Sequence, residues 1–198
     1  MTEPSSWALA RPFFRVLPEK GGYTAFEKAA AARGVQLLRA IERRLGAKSV
    51  FALGIPGQVG PAAQALWREL IEVRSSIRIW PFDGSLDDLL SQCEFTVAEI
   101  YPKAAYGTAL APSLSAEPLR LAKGSLSVRQ SDVKQLQSAD WVHGHRIRLD
   151  DLDYAVGNED DFDACLTAAA LLRLVLEHRG LANPSFVDIV SEGGILCT

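Results

Sequence analysis

Seven acids crowd between Asp150 and Asp163: Asp150, Asp151, Asp153, Glu159, Asp160, Asp161 and Asp163, with no basic residue among them. Such crowding is electrostatically costly unless a cation compensates. Asp160 and Asp163 stand at i and i+3 where the strongest helical pattern of the chain begins, so both can point to one place from one helix face. Two chemistries fit that spacing. Acids at a helix start cap free N–H groups and are favoured by the macrodipole; a carboxylate pair can also ligate a divalent ion. Glu99, in Thr96-Val97-Ala98-Glu99-Ile100-Tyr101-Pro102, lies near the C-terminal end of an otherwise apolar strand pattern. Open α/β sheets present their ligand-binding residues there. The same acid also suits the solvent side of an edge strand.

Other residues carry weaker chemistry. Gly54 to Gly60 has G-x-x-G-x-x-G spacing, which matches neither the dinucleotide fingerprint nor the P-loop. It reads as a tight structural turn or, with Lys48 close in sequence and Gly57 and Gly60 leading into a helix, as a phosphate-receiving loop. Arg120, Lys123, Arg129 and Lys134, followed by Arg146 and Arg148, read as a solvated basic surface or as a basic lid for a phosphodiester substrate. His143-Gly144-His145 lacks a nameable third ligand and suits a turn. Cys93, Cys165 and Cys197 are odd in number and far apart, without the spacing of a disulfide framework or a zinc site.

Several elements must position these groups. Tyr23 to Arg33 favours helix, and Val35 to Leu45 is open between helix and strand. Val50 to Leu53 reads as a strand leading through the glycine segment into a helix with Pro61 at its first position, running to about Val73. Ile77 to Phe82 reads as strand, Leu86 to Gln92 as helix, and Phe95 to Tyr101 as strand stopped by Pro102. Residues 111–130, rich in Ser, Pro and Gly, are expected to be a flexible insertion or lid. Ser131 to Val142 reads as helix, Ile147 to Leu149 as a short extended piece, and Asp160 to Arg179 as helix.

These motifs, taken in order, carry a resemblance. Ala47-Lys48-Ser49-Val50-Phe51, Gly57-Gln58-Val59-Gly60, Trp80-Pro81-Phe82-Asp83, Ala98-Glu99-Ile100-Tyr101-Pro102 and Asp160-Asp161-Phe162-Asp163-Ala164 resemble a domain-of-unknown-function family of predicted nucleases with an RNase H-like fold. The acidic helix start is similar to the D-x-x-D pattern of Holliday-junction resolvases of that superfold. The resemblance implies an α/β, RNase H-like mixed sheet flanked by helices. It also implies a divalent-metal-dependent nuclease or phosphodiesterase in which Glu99, Asp160 and Asp163 are catalytic ligands for Mg²⁺ or Mn²⁺, with nucleic acid as partner.

One departure cuts against activity. The superfold opens with a strand bearing the Asp that bridges both ions of a two-metal site, and before Glu27 this chain has only Glu3 and Glu19, in Pro-containing surroundings. The sheet is thus expected to lack its usual first strand. The chain either starts late relative to the family or is a degenerate, non-catalytic member acting as a binding module. A phosphate-binding protein of the actin-like kinase branch is a third reading, without recognisable nucleotide loops. If catalysis survives, Asp83 is the acid placed to stand in.

Length and composition set the frame. A chain of 198 residues with 48% hydrophobic content is expected to form one domain over 1–198 without needing disulfides. Its 21 basic and 24 acidic residues, net −3, lack the overall basic field of nucleic-acid-coating proteins, though not a local patch. No signal peptide and no apolar run of membrane-spanning length is visible, so the cytoplasm is the expected compartment.

Overall fold

The computed structural model describes residues 38–49, 72–92, 95–114, 118–177 and 195–196, with 28, 31, 32, 34, 62, 65, 66, 69 and 70. They form a mixed helical and stranded chain: α1 (Ala40–Leu45), β1 (Arg78–Ile79), α2 (Leu86–Gln92), β2 (Thr96–Val97), β3 (Glu99–Ile100), α3 (Pro102–Leu110), α4 (Leu126–Gln137), α5 (Asp140–Gly144), α6 (Asp153–Gly157), α7 (Glu159–Leu176) and β4 (Ile195–Leu196). The fold gathers into two compact units. The first is Met1–Val97 with Ser185–Gly194, the second Ala98–Pro184 with Ile195–Thr198. Among the described residues, no helix is long and apolar enough to cross a membrane.

In the first unit, β1 pairs in parallel with β2, Arg78 opposite Thr96 and Ile79 opposite Val97. The expected strand over 77–82 ends early because the chain turns at Trp80. The Asp83 carboxylate accepts from the Ile79 N–H at 2.6 Å while the Asp83 N–H donates to the Ile79 carbonyl at 3.0 Å. Arg74 pairs with the same carboxylate. Asp83, the acid weighed as a substitute metal ligand, is thus closing a turn. Ser85 caps α2, its hydroxyl accepting from the Asp88 N–H at 3.2 Å. Val35 to Leu45, ambiguous by pattern, is helical over Ala40–Leu45 and stops at Gly46, whose φ of 61° is the left-handed conformation that favours glycine. Ala62, Ala65, Leu66, Glu69, Leu70 and Glu72 are helical, as the helix expected after Pro61 requires. Val50 to Leu53, Gly57 and Gly60 lie outside the described residues.

In the second unit β3 pairs in parallel with β4, Glu99 opposite Ile195. The strand expected over 95–101 is therefore split, and the described strands are two-residue pieces in two pairs instead of one mixed sheet. Pro102 also acts differently from expectation. It does not merely stop a strand; at the first helical turn its missing N–H costs nothing, and it starts α3. Every residue of α3 from Ala104 to Leu110 is buried. A helix apolar on all sides has to be surrounded, and α3 packs against α7 and α4 while α6 packs against both α4 and α7. Tyr106, Leu136, Phe162 and Leu166 fill the shared core. The Tyr106 and Phe162 rings meet tilted at 57°, centroids 5.8 Å apart, an arrangement that suits the ring quadrupoles.

The core explains how α3 can end inside the unit. The last carbonyls of a helix have no partner within it. Here the Arg173 guanidinium, 2% exposed, donates to the carbonyls of Thr108 at 2.9 Å, Ala111 at 2.7 Å and Pro112 at 3.1 Å. Trp141 donates its indole N–H to the Ala109 carbonyl at 3.0 Å, and Gln135 its amide to the Leu110 carbonyl at 3.1 Å. The guanidinium lies 5.6 Å from the centre of the Trp141 ring and also bonds Glu177.

Residues 111–130 are not irregular throughout. Helix α4 begins at Leu126, so the last five residues of the expected insertion are helical. Among the described residues, Ile147 to Leu149 pairs with no strand.

Candidate functional site

The site is built where α7 begins. Asn158 is its cap, the side-chain oxygen accepting from the N–H groups of Asp160 and Asp161 at 2.9 Å each. Glu159, Asp160 and Asp161 fill the first turn, where their charges complement the positive end of the helix. One turn on, Asp163 faces inward toward α3. Its carboxylate accepts from the Tyr106 hydroxyl on one oxygen and pairs with the Lys123 ammonium on the other. Tyr106 is 2% exposed. Burial first, then the hydrogen bond to Asp163 and the charges of Asp163, Glu159 and Tyr101, push its phenol far above the usual tyrosine value. It therefore stays a protonated donor throughout the physiological range.

Glu159 belongs to the same cluster. A methyl group placed on Gly124 would lie 3.5 Å from a Glu159 carboxylate oxygen, so this acid borders the backbone next to Lys123. Glu159 and Asp163 are at i and i+4, one turn apart on a shared face. Glu159 thus stands with Asp163 beside the Lys123 segment. Asp160 is exposed. Glu99 is exposed too, on the two-residue strand β3. Among the described residues, no group of three or more His, Cys, Asp or Glu side chains is arranged to hold a metal ion, so Glu99, Asp160 and Asp163 do not converge as one.

The basic residues separate into two kinds. Arg129 is 7% exposed and donates to the carbonyls of Lys123 at 2.6 Å, Val156 at 2.8 Å and Gly157 at 3.4 Å. It holds the chain together and has no face for a phosphate. Arg120, Lys134 and Arg146 are exposed, and Arg148 forms an exposed pair with Asp150 at 2.7 Å. Lys48 is exposed and belongs to the first unit; its proposed companions Gly57 and Gly60 are outside the described residues. His143 and His145 are exposed at the end of α5. Burial pushes the Cys165 thiol up, away from reactivity.

No family model, curated protein or solved structure matches this chain. The chemistry rests on the residues themselves. A carboxylate whose two oxygens accept from a phenol and an ammonium already has its charge compensated.

Sequence reasoning missed Lys123 and Tyr106 as partners of Asp163. Lys123 was visible as a basic residue of the insertion. Tyr106 gave no signal, because its role depends on α3, a helix hidden behind Pro102.

Proposed function

We propose that this chain is a non-catalytic binding module akin to RNase H-like nucleases, one that keeps the acidic helix start without turnover. The observation that carries the reading is the Lys123 ammonium on Asp163, with the Tyr106 hydroxyl on the other carboxylate oxygen. A covalently attached cation supplies the compensation that a metal would give such a cluster. The donor set does not fit a resident Mg²⁺ or Mn²⁺: Asp163 is engaged, Asp160 and Glu99 are exposed, and no group of three such side chains forms among the described residues.

The partner class that suits the surface is nucleic acid, met by the exposed cations Arg120, Lys134 and Arg146 as phosphate contacts. Such binding is independent of sequence and weakens as salt rises. The test pairs two assays on the full chain. Single-stranded, duplex and branched DNA and RNA, incubated with Mg²⁺ or Mn²⁺, should remain uncut, and labelled versions of the same substrates should bind with a salt-dependent affinity that falls in Arg120→Ala/Lys134→Ala. Robust metal-dependent cleavage lost in Glu99→Gln would restore the nuclease. Absence of binding at low salt would remove nucleic acid as the partner.

A further inference from the structure

We infer that residues 118–125 form a strap closed over the start of α7 by an ion-pair latch, and that the contact between Lys123 and Asp163 is the fastening that opens. The strap has three polar fastenings of unequal kind, and between them Leu121 packs, partly buried, against the core. On its C-terminal side the buried Arg129 guanidinium grips the Lys123 carbonyl together with those of Val156 and Gly157. Releasing that grip would leave a buried charge without acceptors, which is strongly unfavourable. On its N-terminal side a single backbone bond runs from the Leu119 N–H to the Lys103 carbonyl at 2.8 Å. Between them the Lys123 side chain, 31% exposed, reaches Asp163, 19% exposed. Water and salt can compete for this contact as they cannot for Arg129.

The unequal fastenings give the motion a direction. The strap stays anchored where Arg129 holds it, and once the ammonium leaves, residues 118–122 are held only by the packing of the partly buried Leu121 and the Leu119 bond, so this part lifts most readily. Lifting removes the built-in cation from Asp163 and uncovers that carboxylate beside Glu159, while the Tyr106 hydroxyl still donates to it. The strap thus sets whether the acidic face of α7 carries its own counterion or is open to an outside one.

Hydrogen exchange on the full chain tests the latch. Asp163→Asn keeps the size of the side chain and an acceptor for Tyr106, and removes both the charge and the second acceptor oxygen that Lys123 uses. It should speed exchange of the Leu119 amide about tenfold while the amides of Val133 and Leu136 in α4 keep their protection. Lys123→Met should do the same, and Lys123→Arg should retain wild-type protection. In the wild type, raising salt should loosen Leu119 as well, and this response should vanish in Asp163→Asn. Equal Leu119 exchange in the wild type and Asp163→Asn overturns the latch, as does loosening that spreads equally into α4. The latch goes beyond the binding reading and rests on the ion pair alone, so nuclease activity would defeat that reading without touching these rates.

Discussion

The two ends of α7 treat charge in opposite ways. At its C-terminal end Arg173 is buried, and its donors go to backbone carbonyls at and just past the end of α3 and to Glu177, and its face to Trp141. At its N-terminal end Glu159, Asp160 and Asp161 are exposed, and the one inward acid, Asp163, is met by a half-exposed lysine. The first end is architecture. A guanidinium engaged by three orphan carbonyls and the Glu177 carboxylate cannot be given to a ligand without breaking the core. The second end is adjustable, because its charges are compensated by a contact that solvent can reach. In a unit where both ends of one helix carry charged side chains, exposure and the nature of the acceptor separate structural charge from responsive charge.

Four substitutions break or sharpen that contrast. Arg173→Met should have the largest effect, since it strips partners from the Thr108, Ala111 and Pro112 carbonyls and removes the cation above Trp141. A loss of about 3–5 kcal/mol in denaturant unfolding is expected, of the size seen when one partner of a buried charged network is removed. A loss below about 1 kcal/mol would place Arg173 with the adjustable charges. Asn158→Ala removes the cap of α7 and should cost about 1 kcal/mol. Its cost should be the same with Lys123 or Met at position 123, because the cap holds backbone N–H groups and not the strap.

Asp132 on α4 sharpens the contrast from another side, being a buried acid with no ion pair among the described residues. One of its carboxylate oxygens is without a hydrogen-bond partner among the described residues, and burial pushes its carboxyl above the ordinary 3.8. A carboxyl raised in the folded state favours folding below its unfolded value, and that advantage is lost as pH rises through the folded value. Asp132→Asn should therefore raise stability at neutral pH by up to about 1 kcal/mol, and should reduce the loss of stability between the ordinary carboxylate range and neutrality. Chemical denaturation at several pH values reads both, and a variant less stable than wild type at neutral pH would mean that the ionised carboxylate has a favourable partner. Asp160→Asn should be the mildest change, a few tenths of a kcal/mol from the helix dipole, with no effect on Leu119 exchange. An effect on that exchange as large as that of Asp163→Asn would return Asp160 to the functional pair.

Legibility followed sequence distance. Helix α2 was expected over Leu86–Gln92 and is found there, and α7 begins within one residue of expectation, because caps and apolar periodicity act over a few residues. Pro102 shows the limit of such local signals. The same residue ends a strand and begins a helix, and the choice was made by the small, apolar run after it, which only the core of the second unit could bury. The insertion over 111–130 read as polar and loose, yet its tail becomes α4 and its middle is tied to Lys103, Arg129 and Asp163.

The acids divide along the same line. From the sequence alone followed a helix start crowded with negative charge, a composition able to fold without disulfides, and a need for some compensating cation. Which acid turned inward, and which cation met it, depended on contacts reaching 40 residues to Lys123 and 57 to Tyr106. Capping and helix periodicity are written in neighbouring residues, since the backbone groups they satisfy are neighbours. A counterion is chosen by whichever side chain the packed core delivers within reach, and here the packing of α3 against α7 and the grip of Arg129 on the strap delivered a phenol and an ammonium to Asp163.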